Sequence, residues 1–358
     1  MIEVDVEEQA YWLLLAYRCG LTTRIVNEII TSWCQQQGRP LREFFRASPD
    51  EWRAVCKLRE KTIRKLEKIC NPQQEALVSD QKIEALNEQA VILKQLEYES
   101  IYTLNRLDAK YPARLNKTLT VEQVPPLLFY AGDPRILERA TIAIIGSRSA
   151  NENSVAFARE AARCLAEQGA NVISGYARGV DRATYEGVTS TQGCTAVILP
   201  HGINKTNNAQ LYSLLPGIAA GKALLLSQFH PNAAWMVSRA MERNRLVAGL
   251  ANIIIVCEAK LQGATWIGAL SALEQGRPVY VCQTDAEIQP EGNQELIKRG
   301  AQSLYWPSGE TSVASRDSST SLQQVSSELR KHQYHTMSQQ IAQLLKFNTP
   351  ISVPSSGG

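Results

Sequence analysis

The sequence lacks any apolar run near the ~18 residues that a bilayer-spanning helix needs. It opens Met1-Ile-Glu-Val-Asp-Val-Glu-Glu8, acidic where a secretory leader is basic. A cytoplasmic protein without a membrane partner is therefore expected. Histidine is scarce, with four in 358 residues, and His201 and His230 stand alone without a metal partner at workable spacing. The eight cysteines, at 19, 34, 56, 70, 164, 194, 257 and 282, never reach the Cys-x-x-Cys spacing of zinc or redox sites. Buried reduced thiols, no metal and no cofactor are the expectation. Net charge is only +3, too little for a global field that draws nucleic acid, so any such site must be local. The dinucleotide turn Gly-x-Gly-x-x-Gly is missing as well, since the first glycine turn reads Gly146-Ser-Arg-Ser-Ala-Asn151. That speaks against a nicotinamide dehydrogenase.

Hydrophobic residues, at 44%, are plentiful enough for a large core, and the length calls for more than one domain. Residues 1–96 read as an all-helical domain. Ile25, Val26, Ile29, Ile30 and Trp33 recur at helical spacing behind Thr22-Thr23, and Ser48-Pro-Asp-Glu51 has the form of a capping box. Ala76, Ile83, Leu86, Ala90, Leu93 and Leu96 mark a longer amphipathic helix. Residues 97–140 form a proline-punctuated connector to a domain running to 306. Within it, strands at 141–145, 171–174, 194–199, 223–227, 252–257 and 278–282 alternate with helices at 154–168, 180–191, 264–275 and near 207–221, 233–249 and 292–300. This alternation predicts an α/β fold with a doubly wound, Rossmann-like parallel sheet. Residues 307–358 read as a serine-rich flexible tail with one short helix, where Met337, Ile341, Leu344 and Leu345 share a face that docks on the body or awaits a partner.

Two apolar strands break at glycine and deliver an arginine to the sheet edge, at Gly146-Ser147-Arg148 and at Ser174-Gly175-Tyr-Ala-Arg178-Gly179-Val-Asp181. Glycine there allows a phosphate to approach backbone N–H groups, and arginine supplies charge. Asp181 suits a helix cap. Lys205 follows the fifth strand, and Arg239 precedes the cluster Arg243-Asn244-Arg245. Arg243 and Arg245 are two apart, so on a helix they point in different directions, one outward and one into the fold. The chemistry on offer is phosphate capture.

At these residues the chain resembles the DprA/Smf family of DNA-processing proteins. Six elements stand in family order: Tyr111-Pro112 with Pro125-Pro126-Leu-Leu128, Ala143-Ile-Ile-Gly-Ser-Arg148, Ser174 to Asp181, Thr195-Ala-Val-Ile-Leu199 with Gly202, Arg243-Asn-Arg-Leu-Val-Ala-Gly-Leu250, and Ala272-Leu-Glu-Gln-Gly-Arg-Pro-Val279. The resemblance implies a non-enzymatic protein that binds single-stranded DNA, forms homodimers and loads the RecA recombinase in natural transformation. It also implies that the DNA-binding positions lie between Arg148 and Thr265, and that the helical N-terminus is similar to a sterile-alpha-motif domain. Departures are Tyr185 in place of histidine, Ala240-Met241 in place of Phe-Pro, and Gly263-Ala-Thr-Trp-Ile-Gly268 in place of Ser-Gly-Ser-Leu-Ile-Thr. Tyr176, Tyr212, Trp235 or Trp266 could replace the lost phenylalanine as a stacking surface. The C-terminal winged helix of many members is not seen. Two other readings share the pocket, a nucleotide sensor and a nucleoside-monophosphate phosphoribohydrolase. The hydrolase signature wants a glutamate three residues after Thr265, where Gly268 stands.

Overall fold

The computed structural model describes residues 6–70, 78–285, 289–307 and 322–348. They divide into two compact units. The first comprises the described residues of Met1–Gly132, Leu199–Leu211 and Leu226–Glu242. Its helices are α1 (Val6–Leu13), α2 (Thr23–Ile29), α3 (Leu41–Phe44), α4 (Pro49–Cys56), α5 (Glu60–Cys70), α6 (Val78–Tyr98) and α7 (Leu115–Thr118), with π-helical turns at Leu14–Arg18 and Ile30–Gln36. Thr22 caps α2 through the Ile25 N–H, and Ser48 caps α4 through the Glu51 N–H with Pro49 in the first turn. The capping box is only half closed, because Glu51 turns its carboxylate to Arg39 at 2.6 Å. Apolar spacing along these helices buries Leu13, Ile29, Ile30, Trp33, Phe44 and Trp52. Fully buried Asn27 ties α2 to the connector, its amide donating to the Val121 and Val124 carbonyls at 2.8 Å each. Strands β1 (Tyr102–Asn105) and β2 (Leu127–Gly132) pair antiparallel, Leu104 opposite Leu128.

The second unit comprises the described residues of Asp133–Ile198, Tyr212–Leu225 and Arg243–Gly358. Its sheet is built from β3 (Thr141–Ile145), β4 (Asn171–Ser174), β5 (Cys194–Ile198), β6 (Ala223–Ser227), β7 (Ile253–Val256), β8 (Val279–Thr284) and β9 (Gln302–Trp306). Five of these match the predicted strands to within a residue at each end. The order is β6-β5-β4-β3-β7-β8-β9, with every pairing from β5 to β9 parallel. Intervening helices are α8 (Glu152–Glu167), α9 (Val180–Thr189), α10 (Asn208–Ala219), α11 (Val237–Leu250), α12 (Ala264–Glu274) and α13 (Glu291–Lys298); the division between the units falls within β6, α10 and α11, whose Leu226–Ser227, Asn208–Leu211 and Val237–Glu242 belong to the first unit. The doubly wound expectation holds. The chain winds from β3 toward β6, then returns to β7 on the other side of β3. In open α/β sheets such an order reversal marks where ligands bind, here the carboxyl ends of β3 and β7.

The C-terminal helix, α14 (Leu322–Asn348), has 27 residues, longer than the short helix expected, because the helical pattern begins well before Tyr334. Met337, Ile341 and Leu344 lie in the same buried cluster as Phe157, Leu165 and Trp306, so the helix docks on its own unit. Tyr334 donates to Glu167 at 3.0 Å beneath the Arg163 guanidinium. Gln340 clasps the outer strand: its Oε1 accepts the Tyr305 N–H at 2.7 Å and its Nε2 donates to the Tyr305 carbonyl at 2.8 Å. The serine-rich stretch predicted to be flexible falls largely on 308–321, outside the described residues. Of seven described free cysteines six are buried and Cys34 is half-buried. No described helix is long and apolar enough to cross a membrane.

Candidate nucleic-acid interface

Parallel pairing of β3 with β4 brings the Gly146–Arg148 and Gly175–Gly179 turns out side by side. They interlock. The Val180 N–H donates to the Ser147 carbonyl at 3.4 Å. Gly179 has φ +78°, and a Cβ there would lie 2.5 Å from the Ser147 carbonyl oxygen. A Cβ on Gly146 would lie 2.4 Å from a Val180 methyl. These glycines let one turn press on the other, a tighter reason for their presence than phosphate approach. From the far side Glu258, 7% exposed at the end of β7, grips both ends of the first turn. Its backbone carbonyl accepts the Ser147 N–H at 3.1 Å, and its Oε2 accepts the Asn151 N–H at 2.9 Å. Asn151 then caps α8 through the Ser154 N–H. Arg148 stands exposed on this braced turn.

The second turn rests on a buried cation. Arg243, 4% exposed, donates from Nη1 to the Ile198 carbonyl at 2.9 Å and from Nε to Asn244 Oδ1 at 3.0 Å, and its Nη2 lies 3.8 Å from Asp181 Oδ2. Its guanidinium fills the space where a Gly175 Cβ would stand, 1.4 Å from Nη1. Gly175 is therefore needed for Arg243. Asp181, six residues after Gly175, accepts the Ala177 N–H at 3.3 Å, and Ser174 Oγ donates to the Asp181 carbonyl at 3.1 Å. Burial pushes the Asp181 carboxyl up, against the pull of Arg243, and pushes the Arg243 guanidinium down, with Arg148 adding like charge. Arg243 thus belongs to the fold and not to the surface, a correction to its place among the candidates. Of the pair two residues apart, Arg245 is the exposed one.

Tyr176 holds a left-handed backbone, φ +56°, a conformation that costs energy for a bulky residue. It is fastened by Ser213, whose hydroxyl meets the Tyr176 hydroxyl, by Arg182 over its ring at 4.7 Å, and by Tyr185 edge-on at 4.8 Å. Buried Tyr185 donates to the Ser213 carbonyl at 2.7 Å. Tyr176 is committed to these neighbours and makes a poor stacking surface. Asp181 does not cap α9; the residue at the cap position is Gly179, with no side-chain bond.

Arg178 is exposed on the second turn, and Thr265 is half-exposed in the first turn of α12. The second unit therefore gathers Gly146, Ser147, Arg148, Ser174, Gly175, Arg178 and Gly179 at adjoining turns, with Arg243 and Asn244 behind them. Lys205 and Arg239 lie in the first unit. Lys205 is exposed at the end of the 3₁₀ turn Ile203–Lys205. Arg239 is half-buried, donating to the Ala234 carbonyl and lying 5.9 Å over Phe229. His201 and His230 stay in loops, and no metal-ligating cluster occurs among the described residues. The sequence reading missed Glu258 and the Tyr176–Arg182–Tyr185 group. A glutamate directly after an apolar strand, at Val256-Cys257-Glu258, was the available signal for the first.

A family model described as DNA recombination-mediator protein A matches residues 102–312. Protein Smf of Escherichia coli is 29% identical over 192 residues, covering 53% of this chain and 50% of the relative. DNA processing protein DprA of Streptococcus pneumoniae is 27% identical over 210 residues, 57% of this chain and 71% of the relative. The chain thus spans half the length of the first relative. The X-ray structure of DNA processing protein A from Streptococcus pneumoniae superposes with TM-score 0.58 at 22% identity, covering 86% of this chain and 98% of that one, a likeness of fold.

Proposed function

The chain belongs to the DNA recombination-mediator protein A family, and from that premise we propose that it binds single-stranded DNA through the arginine-bearing turns, as a non-enzymatic homodimeric cytoplasmic protein that loads the RecA recombinase. The observation that carries this reading is the bracing of Arg148 and Arg178 on interlocked turns over a buried cation. Arg148 and Arg178 are exposed on turns whose backbone is already fixed, so a polyanion that meets them has no loop to order first. Ser147 and Thr265 offer hydroxyl donors and Arg245 would follow the backbone; Lys205, in the first unit, is proposed as a separate phosphate contact. Contacts of this kind go to phosphates and give sequence-tolerant binding. Hydrolysis finds no support: Gly268 stands where the hydrolase signature has its glutamate, and Glu258 is engaged with Asn151.

The test is binding of a labelled single-stranded oligonucleotide, competed with duplex and with mononucleotides. With four to six phosphates neutralised, log affinity falls against log salt with a slope of about −3 to −4, independent of base sequence. Arg148→Ala weakens binding while the melting temperature stays within a few degrees. A flat salt response would sink the phosphate contacts, and competition by mononucleotides alone would replace this reading with that of a nucleotide sensor.

A further inference from the structure

Trp235 and Met236, 49% and 50% exposed, end the loop between β6 and α11 in the first unit; Val237, 65% exposed, opens α11, and Met241 follows at 42%. Burying a large apolar side chain stabilises a fold, so a tryptophan held half in water on a rigid loop calls for a reason. This loop is firmly held. The Ala233 N–H donates to the His230 carbonyl and the Gly202 N–H to the Ala233 carbonyl, both at 2.8 Å. Asn204 adds its N–H to the Pro231 carbonyl at 3.1 Å and its side-chain amide to Asn232 at 3.1 Å. Arg239 fastens the Ala234 carbonyl next to Trp235. The approach is so close that a Cβ on Gly202 would lie 2.2 Å from the His230 and Pro231 carbonyl oxygens. The segment that pins the loop, 202–205, ends in the exposed Lys205, whose N–H donates to the Gly202 carbonyl at 2.9 Å.

We infer that Trp235, flanked by Met236 and Val237, is a preformed platform on which an unpaired nucleic-acid base stacks, with Lys205 taking the adjoining phosphate. This inference rests on the single-stranded DNA reading and adds a base contact to its phosphate contacts. An indole face, a thioether and an aliphatic side chain next to a loop pinned by the segment that carries Lys205 match a base attached to a phosphate, since every base has a π-face and every nucleotide one negative charge. A duplex hides its base faces, so the platform favours unpaired strands. Because the loop is already fixed, stacking orders little that was mobile.

The tryptophans themselves provide the readout. Trp12, Trp33, Trp52 and Trp306 are 5% exposed or less, and half-buried Trp266 lies under Arg299 at 5.4 Å, so Trp235 dominates any emission change on ligand contact. The full chain is titrated with a short oligothymidylate and with an abasic oligonucleotide of the same length, following both tryptophan emission and the anisotropy of the labelled strand. Oligothymidylate quenches the emission and the abasic strand does not. Trp235→Ala weakens oligothymidylate binding between about five- and a hundredfold while leaving the abasic affinity unchanged. Trp235→Phe stays within a few-fold of the native chain. Tight oligothymidylate binding without quenching, and unchanged in Trp235→Ala, overturns the platform while the DNA reading stands. Failure of both strands to bind overturns both. A change in the sedimentation of the DNA-free protein on Trp235→Ala assigns the patch to a second copy of the chain and also overturns the platform.

Discussion

Replacing Gly175 by alanine tests whether the buried cation organises the arginine turns. The new methyl would lie 1.4 Å from Arg243 Nη1 and 2.2 Å from its Cζ, so the guanidinium must leave. Arg243 is 4% exposed, and a guanidinium that moves away gives up the Ile198 carbonyl and its approach to Asp181. A buried donor separated from its acceptor costs about 1–3 kcal/mol, and a buried carboxylate deprived of its cation about 3–5 kcal/mol. The two losses share one side chain and do not add fully, so about 3–5 kcal/mol is expected. For a unit of this size that lowers the melting temperature by about 6–20 °C. Circular-dichroism melts and urea titrations measure it. Arg243→Met alone is also destabilising, since it strands Asp181, but in the Gly175→Ala/Arg243→Met double variant the methyl meets no guanidinium. The double variant should therefore be clearly more stable than the sum of the singles implies. Gly175→Ala melting within about 2 °C of the native chain, or strict additivity of the pair, would refute the reasoning.

Two further predictions follow from packing and protonation. Ile341→Ala destabilises the chain by about 2–5 kcal/mol despite lying beyond a serine-rich stretch, because its side chain is fully buried against the α8 side of the sheet; an unchanged urea midpoint would mean the helix is undocked. Burial, aided by Arg18, holds His230 below its ordinary 6.5, and its Nδ1 accepts the Asn232 N–H at 3.3 Å, so the folded chain takes up this proton less readily than the unfolded one. Its contribution to stability is complete above about pH 6.5 and declines as pH falls below it; urea titrations from pH 8 to pH 5 should show a decline that His230→Asn flattens, and an equally steep decline in that variant would remove His230 as its source.

Much of the sheet was legible because parallel strands covered on both faces read as unbroken apolar runs, as at Ile253–Val256 and Ala223–Ser227. Strand β9 was missed for the opposite reason. In Gln302-Ser-Leu-Tyr-Trp306 only Leu304 and Trp306 face inward, which leaves too short an apolar signal. The two arginine turns were visible from their glycines, but what the glycines accommodate was not. Gly175 and Arg243 are 68 positions apart, and no local pattern reports that a guanidinium occupies the missing side chain's place. Spacing alone said that Arg243 and Arg245 diverge; only the position of the Ile198 carbonyl decides which one turns inward. Glu258 escaped because its partners, Ser147 and Asn151, lie more than a hundred residues upstream.

The clasp of Gln340 on Tyr305 bears on how copies of this chain can meet. An outermost strand with open N–H and C=O groups is a template that any passing strand can extend. Here a single side-chain amide imitates a neighbouring peptide, giving one acceptor and one donor to the rung at Tyr305, and the helix carrying it stands where the next strand would lie. Growth of the sheet by edge addition at β9 is therefore blocked for as long as the C-terminal helix remains seated, and loss of that helix would turn a finished border into an adhesive one.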